Sequence, residues 1–326
     1  MDKKTKILFT RRSFKPFIRR DLNILKKHFD VRVVRQLSLK NPISLLRRIP
    51  EILWADVTFS WFASHSTFFH VLLSKIFGKK SIVVSGGGDA AKMPEIGHGA
   101  VLSPIKRPFI WGTYLFADKV LAFSNSSKEN ILERMPETNV EPIYLGAIDT
   151  EKFRPGRKKD LIITVGEVIK SNLKRKGLET FVKTAKHLPD KQFVLIGEHK
   201  DDSIDYLKSI ATSNVEFTGW LPFEDLLRYM QRAKVYVQVS AYEGFGIAMA
   251  EAMACECVPV VTNRGAIPEV VGETGFYVSY GDPEATAEAI KKALKSDKGK
   301  KARIRIKEKF HIKNREQNLT EAIGGL

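Results

Sequence analysis

The 326 residues, 43% apolar and carrying a formal net charge of +17, supply enough core material for two domains of about 150 residues each and exclude a disordered chain. No apolar run nears the roughly 18 residues of a membrane span, and Ile7, Leu8 and Phe9 between Lys6 and Thr10 are too few for a secretory leader. The two cysteines, Cys255 and Cys257, stand too close to staple a fold, and without a second cluster they read as small core residues in a reducing setting.

The charge is uneven. Residues 1–50 hold 15 Lys/Arg against 3 Asp/Glu, a balance of +12, while residues 51–150 hold 9 against 10. Arg11, Arg12, Lys15, Arg19, Arg20, Lys26 and Lys27 interleave with Phe14, Phe17, Ile18, Leu22 and Leu25. Such a stripe suits an anionic membrane surface or a phosphate-bearing acceptor, with nucleic acid and a plain solvated face as the competing readings.

In chain order, apolar runs at Lys6–Phe9, Val31–Val34, Val57–Phe59, Ser81–Val84 and Val120–Phe123 predict strands. Helical patterns lie between them at Arg20–Phe29, Leu45–Trp54, Phe68–Phe77 and Phe109–Phe116. This alternation predicts a parallel sheet with helices on both faces, whose ligands belong at the carboxyl ends of the strands. After the fourth run, Ser85-Gly86-Gly87-Gly88-Asp89 would let a backbone approach a ligand at Gly87 and leave Asp89 to orient an acceptor hydroxyl. His65 and His98 are the nearest histidines, each read as an ordinary loop residue.

The stretch Gly146–Gly156 breaks the alternation, and its Pro155-Gly156 with the charges that follow marks a linker. It divides the chain into an N-terminal domain over 1–150 and a C-terminal domain over 151–326, with the last helix able to pack back on the first domain. The second series predicts strands at Leu161–Val165, Phe193–Ile196, Val215–Phe217, Val235–Val239 and Val258–Val261. Helices are predicted at Leu178–His187, Ser203–Ala211, Phe223–Gln231, Ile247–Ala254 and Ala285–Leu294. The fold class is α/β, two doubly wound Rossmann-like domains. The lysine-rich tract 291–309 reads as a solvated helix face.

The most informative stretch is Glu243-Gly244-Phe245-Gly246, which opens the helix that carries Glu251. A glycine turn between strand and helix presents N–H groups at the positive end of the helix dipole, where phosphate commonly sits. Eight helical residues would separate the two carboxylates by roughly 12 Å with about 80° of rotation, enough to grip hydroxyl groups on either side of a diphosphate.

Those motifs resemble the retaining glycosyltransferases of family 4, glycosyl transferases group 1. The resemblance rests on Gly146–Phe153, Lys176-Gly177, Val215–Gly219, Glu243–Gly246, Glu251–Ala254, Val258–Val261, Pro268–Val271 and Thr274–Phe276. It implies a GT-B architecture, with two sheets facing across a cleft, and transfer of a sugar, a hexose by preference, from a nucleotide-diphosphate sugar to an acceptor hydroxyl. The anomeric configuration would be retained, without metal or cofactor. It also implies roles: Glu243 and Glu251 on the sugar and ribose, Gly244, Phe245 and Gly246 beneath them, Lys176 on the diphosphate, and Gly166 and Gly219 among the substrate-binding residues.

The sequence departs from the family where Glu167 follows Val165-Gly166 in place of arginine, which leaves Lys170, Lys174 or Arg175 to supply a second cation. Glu256 also stands where a glycine is usual. The partners expected are the sugar-nucleotide donor, a glycan or lipid-linked acceptor and an anionic membrane surface, with a cytoplasmic location, peripheral on the inner membrane face. The alternative is a basic nucleic-acid- or membrane-binding protein that keeps a degenerate sugar-nucleotide domain.

Overall fold

The computed structural model describes residues 4–36 and 47–326. The chain forms two compact units, Met1–Ala147 together with Lys313–Leu326, and Ile148–Ile312.

The first unit begins with β1 (Lys6–Arg11), α1 (Pro16–His28) and β2 (Asp30–Arg35). It continues through α2 (Ile49–Trp54), β3 (Val57–Trp61), α3 (His65–Ile76), β4 (Lys80–Ser85), α4 (Arg107–Phe116), β5 (Lys119–Ala122), α5 (Asn125–Leu132) and β6 (Val140–Pro142). Its sheet runs β2-β1-β3-β4-β5-β6 and every pairing is parallel. All five residues of β3 are buried, as a central strand covered on both faces requires. Leu45 and Leu46, the start of one expected helix, lie outside the described residues.

Helix α1 explains much of the basic N-terminal stripe. Pro16 sits in its first turn, and Ile18, Leu22, Ile24 and Leu25 form its buried face. Ile18, Leu22 and Leu25 of the stripe are therefore core, Phe17 is half-buried, and Phe14 stays exposed among the cations. Arg11 and Arg19 lie over the ring of Phe14, while Lys27 and His28 pair with Glu316.

The second unit contains β7 (Lys159–Val165), α6 (Lys170–Arg175), α7 (Leu178–Thr184), β8 (Gln192–Ile196), α8 (Ser203–Ser209), β9 (Val215–Gly219) and α9 (Phe223–Arg232). Then come β10 (Ala233–Gln238), α10 (Ile247–Ala254), β11 (Val258–Thr262), α11 (Ile267–Val271), β12 (Phe276–Val278), α12 (Pro283–Leu294) and α13 (Lys298–Lys309). The sheet runs β12-β11-β10-β7-β8-β9, again wholly parallel. Its core joins Ile162, Phe193, Val235, Val237, Val258 and Val260 to Phe181 and Ile290 from the helices.

Two expectations change. Between the expected strand Leu161–Val165 and the expected helix Leu178–His187, where no element is predicted, lies helix α6, too short at six residues to show an apolar period. The lysine-rich tract is not simply solvated, because α13 buries Gly299, Ala302 and Ile306. Arg303 donates to the carbonyls of Thr150 (3.0 Å), Phe153 (2.7 Å) and Ala254, and Arg305 to Glu269 (2.7 Å) and Val270 (2.8 Å). These cations satisfy carbonyls at the ends of α10 and α11 that the helices themselves leave unpaired.

Helix α14 (Ile312–Gly324) belongs from Lys313 onward to the first unit. Arg315, 2% exposed, donates Nε to Asp21 Oδ1 (3.0 Å) and Nη2 to Asp21 Oδ2 (2.7 Å). Its Nη1 reaches the carbonyls of Ile143 (2.7 Å) and Tyr144 (3.0 Å), so each nitrogen of the buried guanidinium has an acceptor.

Candidate functional site

In the second unit β7 and β10 lie side by side, while β8 and β9 extend one way and β11 and β12 the other. A crevice opens at the carboxyl ends of strands where the order reverses in this way. Gly166 follows β7 there, Glu243 follows β10, and Gly219 ends β9.

Glu243, 9% exposed, is the centre of the arrangement. Its Oε1 accepts from Lys176 Nζ at 3.0 Å, Gln238 Nε2 at 3.2 Å and Ser240 Oγ at 3.4 Å, and Arg175 Nη1 stands 3.9 Å away. Burial pushes this carboxyl upward, but the charges of Lys176 and Arg175, with hydrogen bonds from Lys176 and Ser240, outweigh it and hold the group below its ordinary value. A Cβ on Gly166 would come within 2.9 Å of Lys176 Cδ, so the missing side chain lets the lysine stem cross the end of β7.

Of the three cations open from the sequence, Arg175 is the one beside Lys176. Asn172 Oδ1 accepts from its Nε (3.2 Å) and Nη2 (2.6 Å), and Asn172 Nδ2 donates to the carbonyl of Glu167 (2.8 Å). Lys170 and Lys174 are exposed, and the Lys170 N–H donates to Asp201 Oδ2 at 2.9 Å. The side chain of Glu167 is exposed.

Gly246 opens α10 at φ +86°, a left-handed conformation that favours glycine. Phe245 is 2% exposed, its ring edge-on to Phe310 at 5.4 Å, so that side chain is core and the turn offers backbone. Glu251, on α10, is 8% exposed. Gly265, which sequence reasoning passed over, lies against Glu243. A Cβ on it would meet the Glu243 carbonyl oxygen at 2.6 Å, and the next N–H, that of Ala266, donates to that oxygen at 2.9 Å.

The first unit holds a cavity of about 440 Å³ at its own strand ends, lined among others by Arg12, Trp61, Phe62, His65, Asp89 and Lys106. Asp89 is buried. Its Oδ2 accepts from the Ala63 N–H (2.8 Å) and Ser85 Oγ (2.8 Å), and its Oδ1 from the N–H groups of Gly87 (3.0 Å) and Gly86 (3.4 Å). Burial raises this carboxyl above its ordinary value although these donors pull the other way. The carboxylate thus ties the glycine loop to the end of β3, and Gly87 contributes one of its ties. His98 packs near Gly88.

No three His, Cys, Asp or Glu side chains gather as a metal would need among the described residues. Cys255 and Cys257 are buried thiols raised above their ordinary value by desolvation.

Residues 159–296 match the sequence model of the family described as glycosyl transferases group 1. Alpha-maltose-1-phosphate synthase of Mycolicibacterium smegmatis is 28% identical over 207 residues, 55% of this chain and 54% of that protein. The capsular polysaccharide biosynthesis glycosyltransferase CapM of Staphylococcus aureus is 30% identical over 227 residues, 60% and 58% of the two chains. The match thus spans little more than half the length of these relatives. Among solved structures, Anabaena HepE in complex with UDP superposes with a TM-score of 0.79 at 17% identity, covering 99% of this chain and 100% of that one.

Proposed function

We propose, from the match of residues 159–296 to the glycosyl transferases group 1 and from the GT-B fold, that the chain moves a sugar from a nucleotide-diphosphate sugar to an acceptor hydroxyl with retention of configuration. The observation that carries this reading is the pair of cations on one buried carboxylate, Lys176 and Arg175 on Glu243, at the crevice of the second sheet.

In this proposal the donor diphosphate takes over the two cations. Lys176 and Arg175 then neutralise charge that builds on the leaving diphosphate. Glu243, released from the lysine, accepts from hydroxyls of the transferred sugar, and Glu251 accepts from the ribose. Backbone N–H groups of Gly244, Phe245 and Gly246 face the phosphates at the positive end of α10. Retention follows if the acceptor attacks on the face that the diphosphate leaves, with a diphosphate oxygen taking the acceptor proton. Cations and a helix end carry the charge, so no metal ion enters the proposed step.

A uridine diphosphate sugar is the first donor to try, because HepE of the same fold holds UDP. A thermal-shift screen of uridine, guanosine and adenosine diphosphates with their common hexoses should reveal one stabilising donor, and Glu251→Ala should abolish that shift. NMR of the product formed with EDTA present should show the donor's anomeric configuration. Absence of a shift with every donor, or an inverted product, would overturn the proposal.

A further inference from the structure

The cavity of the first unit carries features that sugar transfer alone does not require. It lies where β1 and β3 adjoin, with β2 on one side and β4 on the other, so that it too sits at a reversal of strand order. Arg12 follows β1 and Lys106 precedes α4. Both side chains are exposed and line the space. The positive end of α3 arrives there as well, with Ser64 as its N-cap accepting from the Thr67 N–H at 3.2 Å. His65 is held below its ordinary value first by burial and then by the charges of Arg12 and Lys106. The acidic group among the lining residues is Asp89, whose two oxygens are taken by four donors.

Two further observations point to a ligand. Trp61 is 1% exposed, and its indole Nε1 has no hydrogen-bond partner among the described residues, an uncommon state for a buried donor. Phe62 sits at φ +64°, a conformation that a bulky side chain adopts only under constraint. The constraint is visible: the Phe62 N–H donates to the Val84 carbonyl (2.8 Å), Thr67 Oγ1 donates to the Phe62 carbonyl (2.6 Å) and Gln36 Nε2 to the Trp61 carbonyl (2.9 Å). Strain held in place this way clusters at ligand sites.

We propose that this cavity binds a small molecule with a ring-sized body and one phosphate or carboxylate, the oxyanion held by Arg12 and Lys106 and the body against Trp61, Phe62 and Ile110. Its role as the acceptor site rests on the transferase reading; its role as a binding site does not.

The test is calorimetric titration of the whole chain without donor. The soluble arm compares glucose 6-phosphate and glucuronate with glucose, and the lipid arm compares dihexanoyl phosphatidylinositol with dihexanoyl phosphatidylcholine. At least one anionic probe should bind saturably and about ten-fold tighter than its neutral counterpart, and the arm that responds identifies the source of the oxyanion. Arg12→Gln with Lys106→Gln should remove that preference, Trp61→Phe should weaken binding several-fold, and nucleotide-diphosphate binding should be unchanged in both. Equal binding of charged and neutral probes, no saturable binding of any anionic probe, or a preference that survives loss of both cations would overturn the proposal. Failure of donor binding with this preference intact would instead count against the transferase reading.

Discussion

Glu243 is a buried carboxylate paired with Lys176 and Arg175. Its carboxyl is held below the ordinary value of 4.5 in the folded chain, so the unfolded state takes up the proton first as pH falls. The stabilisation is therefore complete above about pH 4.5 and is lost as pH drops through the lower folded value. Urea melts should show wild type losing more stability over that acid range than Glu243→Gln; equal losses would contradict the pairing. At neutral pH, Lys176→Ala leaves the buried carboxylate with less compensation and should cost about 1–3 kcal/mol. Glu243, Glu251 and Lys176 were legible in the sequence because each stands in a short contiguous motif. Arg175 could not be singled out from Lys170 and Lys174, since that choice depends on α6 and on the side chain of Asn172. Trp61 and Phe62 were invisible as site residues, because their cavity exists only once four strand ends are brought together.

At the scale of elements, Glu256 occupies the turn between α10 and β11 at φ +64°. An L side chain is strained there and glycine is not, so Glu256→Gly should stabilise the chain by roughly 1 kcal/mol in thermal or urea melts. A destabilisation would mean that the glutamate side chain makes a contact worth more than the strain. Helix α14 depends on the Arg315–Asp21 pair, each side chain 1% exposed. Arg315→Ala strands a buried carboxylate and should cost about 3–5 kcal/mol, with a change below 1 kcal/mol contradicting it. Most strands were legible because central parallel strands are continuous apolar runs. The three-residue edge strands β6 and β12 and the short helices α6 and α11 were not, having too few residues to show a period.

For the whole molecule, the +17 charge is concentrated before residue 50, and α1 directs its apolar face inward. No helix among the described residues is long and apolar enough to cross a membrane. The exposed cations of the N-terminal stripe predict an electrostatic association with an anionic membrane. Vesicles containing phosphatidylserine should bind the chain at low salt and release it as ionic strength rises. Binding that persists at 1 M salt, or that survives neutralisation of Arg11, Arg12, Arg19 and Arg20, would contradict this account.

The proposed donor site is tested most directly by titrating the best-binding nucleoside diphosphate and its parent nucleoside into wild type, Lys176→Ala and Arg175→Ala. Each substitution should weaken the diphosphate roughly 10- to 100-fold, the worth of one charge-assisted contact, and leave the nucleoside unchanged. Diphosphate affinity equal to wild type in both variants would show that these cations do not hold the donor.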